Sequence, residues 1–346
     1  MQRVISLLKI KMFQRIKNKI GFLVLAALVV AAVFVWSAVF ASPTDEKVKV
    51  DFFDVGQGDA LLIDAPNNNQ VLIDGGPSDA ILNKLGSALP FFDRKIELVI
   101  LTHPDSDHLS GLIEVLKRYE VGEVLETGIE DATSQYAAWN DLIKEKNVPV
   151  VFARAGQIVK ISDNLAIKIL YPLDKINGED FSKNTNNTSI MGKVIYGQSS
   201  ILFTGDAEGV EENSLLLGGS DLKADILQVA HHGSKNSTGQ EFLAAVAPQI
   251  AVIQVGAKNR YGHPTQEVLE RLKGVNILRN DLNGDIEFVC DLANCATVTA
   301  KNLTHALFFF KSICYNWQRG KVFAIIGKEE KIKIYFYFSR ANRLYF

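Results

Sequence analysis

The sequence predicts an α/β domain built as a four-layer αββα sandwich, two β-sheets face to face with helices on both outer faces, behind a single N-terminal transmembrane helix. Three observations carry this. From Val48 onward, short apolar strands separated by turn residues come first, strands alternating with helically spaced segments follow, and that order runs through twice. With 346 residues and 47% hydrophobic side chains the chain can bury a core of that size, which excludes the disordered and fibrous classes. Residues 21–41 form an unbroken apolar run, close to the ~20 residues that a bilayer-spanning helix needs.

Arg3, Lys9, Lys11, Arg15, Lys17 and Lys19 make residues 1–20 a basic cytoplasmic segment, and the positive-inside rule then puts everything after Ala41 outside the cytoplasm. Small residues at 38–42 also fit a cleavage site whose use would release the protein, but the length of the run favours a retained anchor. After a short polar linker, residues 48–299 are expected to form the globular domain, and residues 300–346 an aromatic and basic tail with no assigned role. Charge divides unevenly. The first 41 residues hold no acid and residues 301–346 hold nine Lys/Arg against two Glu, so residues 42–300 keep 22 bases against 37 acids. Such a domain repels polyanions at long range unless bound cations or a local basic groove reverse the field.

Strands are expected at 48–53, 60–64, 70–74 and 96–102, with Gly56-Gln57-Gly58-Asp59 as a tight turn and Pro66-Asn67-Asn68-Asn69 as a hairpin. Apolar residues at helical spacing mark 82–89 and 109–119, and Asp107 stands where a first-turn acid favours the amino end of the second helix. A helix near 133–146, strands near 150–152 and 165–171, and a polar stretch at 177–187 follow. Order resumes with a hairpin of 189–196 and 200–204, a helix at 208–217, then strand, helix, strand and helix at 225–230, 240–246, 250–255 and 266–273. Strands at 286–290 and 295–299 would set Cys290 opposite Cys295, and in an exported chain both a cross-strand disulfide and a free pair stay open. No cysteine spacing suits a structural zinc site, and Cys314 is left unpaired.

Candidate chemistry is concentrated in Glu97-Leu-Val-Ile-Leu-Thr-His103-Pro-Asp105-Ser-Asp107-His108, where an apolar strand ends and four potential ligands arrive within six residues. His103 and Asp105 can turn to one side of the loop while Asp107 and His108 enter the next helix from the other, so two neighbouring divalent metal ions can be served. Imidazole and carboxylate are both available near neutral pH without a costly shift. Asp206 follows a strand through a glycine and can bridge two cations, although strand-end capping is the plainer account of an acid there. His231 and His232 follow another strand in the same way, one as ligand and its neighbour orienting it or the substrate; His232 is the favoured ligand.

These motifs and their order resemble a known family. His103-X-Asp105-X-Asp107-His108 is similar to the His-X-Asp-X-Asp-His variant of the metallo-β-lactamase motif in the nuclease-like domain of the ComEC family of competence proteins. Phe53-Asp54-Val55-Gly56-Gln57-Gly58-Asp59-Ala60, Leu72-Ile73-Asp74-Gly75-Gly76, Asn187-Thr188-Ser189, Phe203-Thr204-Gly205-Asp206-Ala207-Glu208, His231-His232-Gly233-Ser234 and Arg260-Tyr261-Gly262-His263-Pro264 look like its successive motifs. The likeness covers roughly residues 49–289 and lacks the family's multi-helix channel region. It implies the metallo-β-lactamase fold, with Asp59, Asp74 and Ser234 supporting the ligands from behind. Asp107, Asn187 and His263 are the catalytic candidates it implies, His263 protonating a leaving oxygen or holding a phosphate. Asn187 and Ser189 occupy the place where other members carry a further metal-binding histidine, which leaves one metal short of a nitrogen.

The function expected is that of a metal-dependent phosphodiesterase, with single-stranded DNA as the substrate the resemblance implies. A smaller or cell-wall-attached phosphodiester, or a membrane-tethered metal-binding module without catalysis, are the alternatives. Replacing histidine by Asp105 enriches the site in oxygen donors and shifts preference from zinc towards manganese. Lactamases and thioester hydrolases resemble the all-histidine version of the first motif and fit less well.

Overall fold

The computed structural model describes residues 19, 21–34, 47–176, 184–299 and the short pairs 323–324 and 335–336. The chain divides into two compact units, Met1–Asp45 and Glu46–Phe346. In the first, residues 21–34 are helical, with Phe22, Leu28 and Phe34 exposed. Among the described residues no helix is long and apolar enough to cross a membrane. The rest of the expected span, 35–41, lies outside the described residues, as does most of the expected tail.

The second unit carries two large mixed sheets. The first is built from β1 (Val48–Phe52), β2 (Leu61–Asp64), β3 (Gln70–Ile73), β4 (Lys95–Ile100), β5 (Glu120–Glu126), β6 (Val150–Phe152), and the returning pair Ile286–Cys290 and Cys295–Thr299. The second is built from β7 (Ile158–Lys160), β8 (Leu165–Tyr171), β9 (Met191–Tyr196), β10 (Ser199–Phe203), β11 (Ile226–Gln228), β12 (Ile250–Ile253) and β13 (Asn276–Arg279). The returning pair is β14 and β15, so the first sheet runs β15-β14-β1-β2-β3-β4-β5-β6 and the second β13-β12-β11-β10-β9-β8-β7. In each, an antiparallel portion leads into parallel strands, β3 to β6 and β10 to β13. This is the strand-then-helix order of the sequence, passed through twice.

Alternation sorts side chains between layers. Along β2, Leu61 and Ile63 face the second sheet while Leu62 faces the helices; β4 does the same with Leu98, Ile100 and Val99, and β10 with Ile201, Phe203 and Leu202. The inner faces meet in one apolar layer that includes Phe52 and Phe288, whose rings pack edge to face at 5.8 Å. Outside the first sheet lie α1 (Ala80–Ala88), α2 (Ser106–Arg118) and α3 (Ser134–Lys146), and outside the second α4 (Gly209–Leu217), α5 (Gln240–Val246) and α6 (Gln266–Arg271). Leu109, Leu112, Val115 and Leu116 give α2 its buried stripe; Asp107 sits in its first turn and Lys117 and Arg118 in its last, the arrangement the helix dipole favours. In α3, Thr133 caps the amino end by accepting from the Tyr136 amide, and Trp139 is fully buried with its indole N–H on Glu126 at 3.0 Å.

Three strands of the two large sheets escaped the sequence reading, for different reasons. β5 reads Glu-Val-Gly-Glu-Val-Leu-Glu, whose polar residues interrupt the apolar run, yet Val124 and Leu125 are buried between parallel neighbours. β7 and β13 are edge strands with weak patterns. The cysteines are resolved plainly: Cys290 and Cys295 face each other across the β14–β15 hairpin and form a disulfide.

A candidate metal centre

Asp74 anchors the first half of the site. It follows β3 in a left-handed conformation (φ 57°) and is 1% exposed. Its carboxylate accepts from the Thr102 amide (2.9 Å), the Thr102 hydroxyl (2.7 Å) and His108 Nδ1 (2.9 Å). With its proton committed to Asp74, the Thr102 hydroxyl can only accept from His103 Nδ1, 3.1 Å away. Both histidines therefore carry a proton on Nδ1, and Nε2 is the nitrogen of each that is left to face the site. The first turn of α2 is strapped to the same loop, Gly75 N–H donating to His108 O at 2.8 Å and Gly111 N–H to Gly76 O at 2.9 Å.

The second sheet supplies the rest. Asp206 follows β10 through Thr204 and Gly205, and its amide donates to the Ser189 hydroxyl. The strand expected at 225–230 stops at Gln228, after which Ala230–Gly233 form a single tight turn. Within it His231 (φ 51°) and His232 (φ 54°) are consecutive left-handed residues, a conformation that side chains other than glycine adopt at a cost and that clusters at functional sites. His232 Nδ1 donates to the Gln254 carbonyl at 2.9 Å, so its Nε2 is likewise left to face the site. Behind it, Gln228 Nε2 donates to Asp59 (2.8 Å) and to Gln254 Oε1 (2.9 Å), and Gln254 Nε2 to the Ala60 carbonyl (2.9 Å), stitching the two sheets together below the histidine.

These atoms converge on Asp206. His108 Nε2 lies 3.3 Å from its Oδ1, and His231 Nε2 and His232 Nε2 each 3.6 Å from its Oδ2; His232 Nε2 is also 3.3 Å from Asp107 Oδ2. His103, His108 and Asp206 make one group able to hold an ion, Asp107, His108 and His232 another, and Asp59, Asp206 and His232 a third, ligand atoms in each lying within 4.8 Å of one another. The decisive observation is what these atoms lack. His103 Nε2, His108 Nε2, His232 Nε2 and Asp206 Oδ1 are buried without a hydrogen-bond partner. Buried polar atoms are rarely left so, and four aimed at one spot fit a divalent cation.

The charges agree. Burial opposes ionisation of His108 and His232, yet Asp206, with Asp74 for the first and Asp59 for the second, holds both well above the usual imidazole range. Burial likewise pushes Asp107 up, but the imidazoles of His232, 3.3 Å away, and of His108 hold it at about 2. Asp59 is raised by burial, and His103 is lowered by burial and by His108. This cluster of acids demands positive charge, which protons or metal ions can supply.

The remaining candidates are placed as follows. Asp105 stands at the rim, 3.8 Å from His103 Nε2, and accepts from the Thr185 hydroxyl. His263 is half-buried beyond His231, ring centroids 5.7 Å apart, its pKa lowered by burial and then by His231 and His232. Ser234 is buried, its hydroxyl accepting the Asn236 amide in the loop after the histidine pair. Asn187 is turned away: its side-chain oxygen accepts from Asn184, and its carbonyl from the Tyr171 hydroxyl. Its neighbours reach the site instead, Thr185 at Asp105, Asn186 at 3.4 Å from His231 Nε2, and Ser189 at 3.3 Å from His103 Nδ1. Thr102, Gln228, Gln254 and Glu208, the last 3.3 Å from His231 Nδ1, were not foreseen. Glutamines in apolar strands that otherwise read as core were the available signal for two of them.

The model of the metallo-beta-lactamase superfamily matches residues 53–257, a span that takes in every residue of the cluster around Asp206. The chain belongs to the metallo-beta-lactamase superfamily. Within it, the chain is related to competence proteins. It is 33% identical over 264 residues to ComE operon protein 3 of Bacillus subtilis, an alignment covering 69% of this chain and 33% of that one. It is 29% identical over 247 residues to competence protein ComA of Neisseria gonorrhoeae, covering 70% and 32%. The chain thus spans about a third of the length of these relatives. Among solved structures, the metallo-beta-lactamase fold protein YhfI from Bacillus subtilis aligns at a TM-score of 0.47 and 12% identity, over 73% of this chain and 100% of that one.

Proposed function

We propose that this metallo-beta-lactamase-superfamily domain is a metal-dependent phosphodiesterase with DNA among its substrates. The observation that carries the reading is the set of bare, buried imidazole nitrogens facing Asp206. His103, His108 and Asp206 would hold one divalent ion, and Asp107, His232 and Asp206 a second, with manganese or zinc as the ion. Asp105 is placed to add an oxygen at the rim. Bound ions of this kind lower the pKa of water towards neutrality and offset charge on phosphate oxygens. The protein's own contribution is orientation: Asp74 and the Gln254 carbonyl fix which nitrogen of His108 and His232 faces the site, and the Gln228 and Gln254 side chains tie the two sheets together behind it. His263, on the open side of His231, is placed to hold a phosphate or to give a proton to a leaving oxygen.

The sequence supports a location outside the cytoplasm, with the basic residues 1–20 inside and the apolar run 21–41 as anchor, and the Cys290–Cys295 disulfide is in keeping with an oxidising compartment. Purified full-length protein should retain metal, hydrolyse single-stranded DNA in manganese or zinc, and lose both properties in Asp206→Ala. Turnover of an activated small phosphodiester alone would reassign the substrate to the smaller or wall-attached class. Bound metal without turnover of either would leave a binding module.

A further inference from the structure

The two loops that close one side of the site differ from the rest of this acidic domain. Residues 230–239, after β11, and 254–265, after β12, contain no acid. They carry Lys235, Lys258 and Arg260, all exposed, and none of the three has an ion-pair or hydrogen-bonding partner for its side chain among the described residues. Beside them stands Tyr261. It is 71% exposed, a large aromatic ring left in solvent, and it lies nearly parallel to His263 (interplanar angle 25°, centroids 5.8 Å apart). The rings of His231, His263 and Tyr261 therefore step outward from Asp206, each within 6 Å of the last.

Both loops are braced. Asn259 ties the second one internally, its amide donating to the Gly256 and His263 carbonyls (2.9 and 2.8 Å) and its oxygen accepting from the His263 amide (3.0 Å). Arg271 from α6 ties the first, donating to the carbonyls of Lys235, Ser237 and Thr238 at 2.9 Å each. Tyr261 is thus presented on a loop whose order is already in place, the condition under which an exposed ring gains most from a partner.

We propose that Tyr261, with Lys235, Lys258 and Arg260, forms a nucleotide subsite beside the metal cluster: one unstacked base lies on the free face of Tyr261, and the phosphates on either side of it meet the three cations. The inference rests on the phosphodiesterase reading and narrows it, because a flat ring flanked by cations suits a base on a phosphodiester backbone, while those cations repel the quaternary ammonium of a choline ester that a ring alone would attract. It also supplies a local basic patch on a domain that is acidic as a whole.

The test compares oligo-dT with an abasic oligomer of equal length. Binding is read by fluorescence anisotropy of labelled oligomers in EDTA with the full-length chain, and turnover in manganese with a small non-aromatic phosphodiester alongside. Wild type should bind oligo-dT more tightly than the abasic chain. Tyr261→Ala should weaken oligo-dT binding by about 5- to 150-fold, the range for loss of one stacked base, and leave the abasic oligomer and the small diester unchanged. Tyr261→Trp should retain binding, and Arg260→Ala should flatten the salt dependence for both oligomers. Equal affinity of wild type for the two oligomers, or a Tyr261→Ala defect of the same size on both, overturns the subsite. A chain that hydrolyses no phosphodiester in any metal overturns the enzymatic reading, while the anisotropy comparison still decides the subsite by itself.

Discussion

At Asp74 one carboxylate settles the state of two side chains, His108 directly and His103 through the Thr102 hydroxyl. Asp74→Asn replaces an acceptor with a donor facing donors, so metal affinity should fall about 10- to 100-fold in a calorimetric titration. Asp51 poses the opposite case. It is buried opposite Glu287 on β14, and burial, then Glu287, push its pKa up to about 7. A carboxyl raised by folding costs nothing below its unfolded value of about 4, and stability falls as pH climbs from there to about 7. Asp51→Asn should therefore raise the melting temperature at pH 8 and lose that advantage by pH 4, read by thermal melts across pH. The ligand residues were legible because they cluster in short motifs after strands. The tautomer-setting contacts of Thr102, Gln254 and Gln228 were not, because they depend on which distant carbonyl or carboxylate a side chain meets.

Helix α2 is where packing and chemistry share a backbone. A Cβ on Gly111 would fall 1.8 Å from the Gly75 carbonyl oxygen, so Gly111→Ala must lift the helix that carries Asp107 and His108 off its loop. Overpacking of this kind costs about 1–3 kcal/mol, and metal affinity should fall with it. Gly86, exposed in the last turn of α1, has nothing within 4 Å, and Gly86→Ala should instead gain about 0.5–1 kcal/mol. Denaturant melts of the two variants give the contrast. Element boundaries were readable for amphipathic helices such as α5, observed over the residues expected. β5 was hidden because its glutamates and glycine mask a strand that parallel neighbours bury.

Each sheet brings half of the cluster, Asp59, Asp74, His103, Asp107 and His108 from the first and Asp206, His231 and His232 from the second. Metal bound there links the halves and stabilises only the folded chain, by about 2.7 kcal/mol at a free concentration one hundred times Kd. Chelation should lower the melting temperature of wild type and leave that of Asp206→Ala unmoved. The layered architecture was legible from strand order alone, since strands followed by strand–helix alternation, twice, has few packed solutions. The closing partnership of the first sheet was not, because it joins β1 to β14 across almost the whole domain.

One such partnership governs how the molecule can come into being. β1 lies between β2 and β14, with Val48 opposite Cys290. During synthesis the opening strand must wait, one edge bare, until nearly the whole domain has been translated. A chain translated only part-way cannot complete its first sheet, so the rim that gathers the histidines and carboxylates closes late in folding.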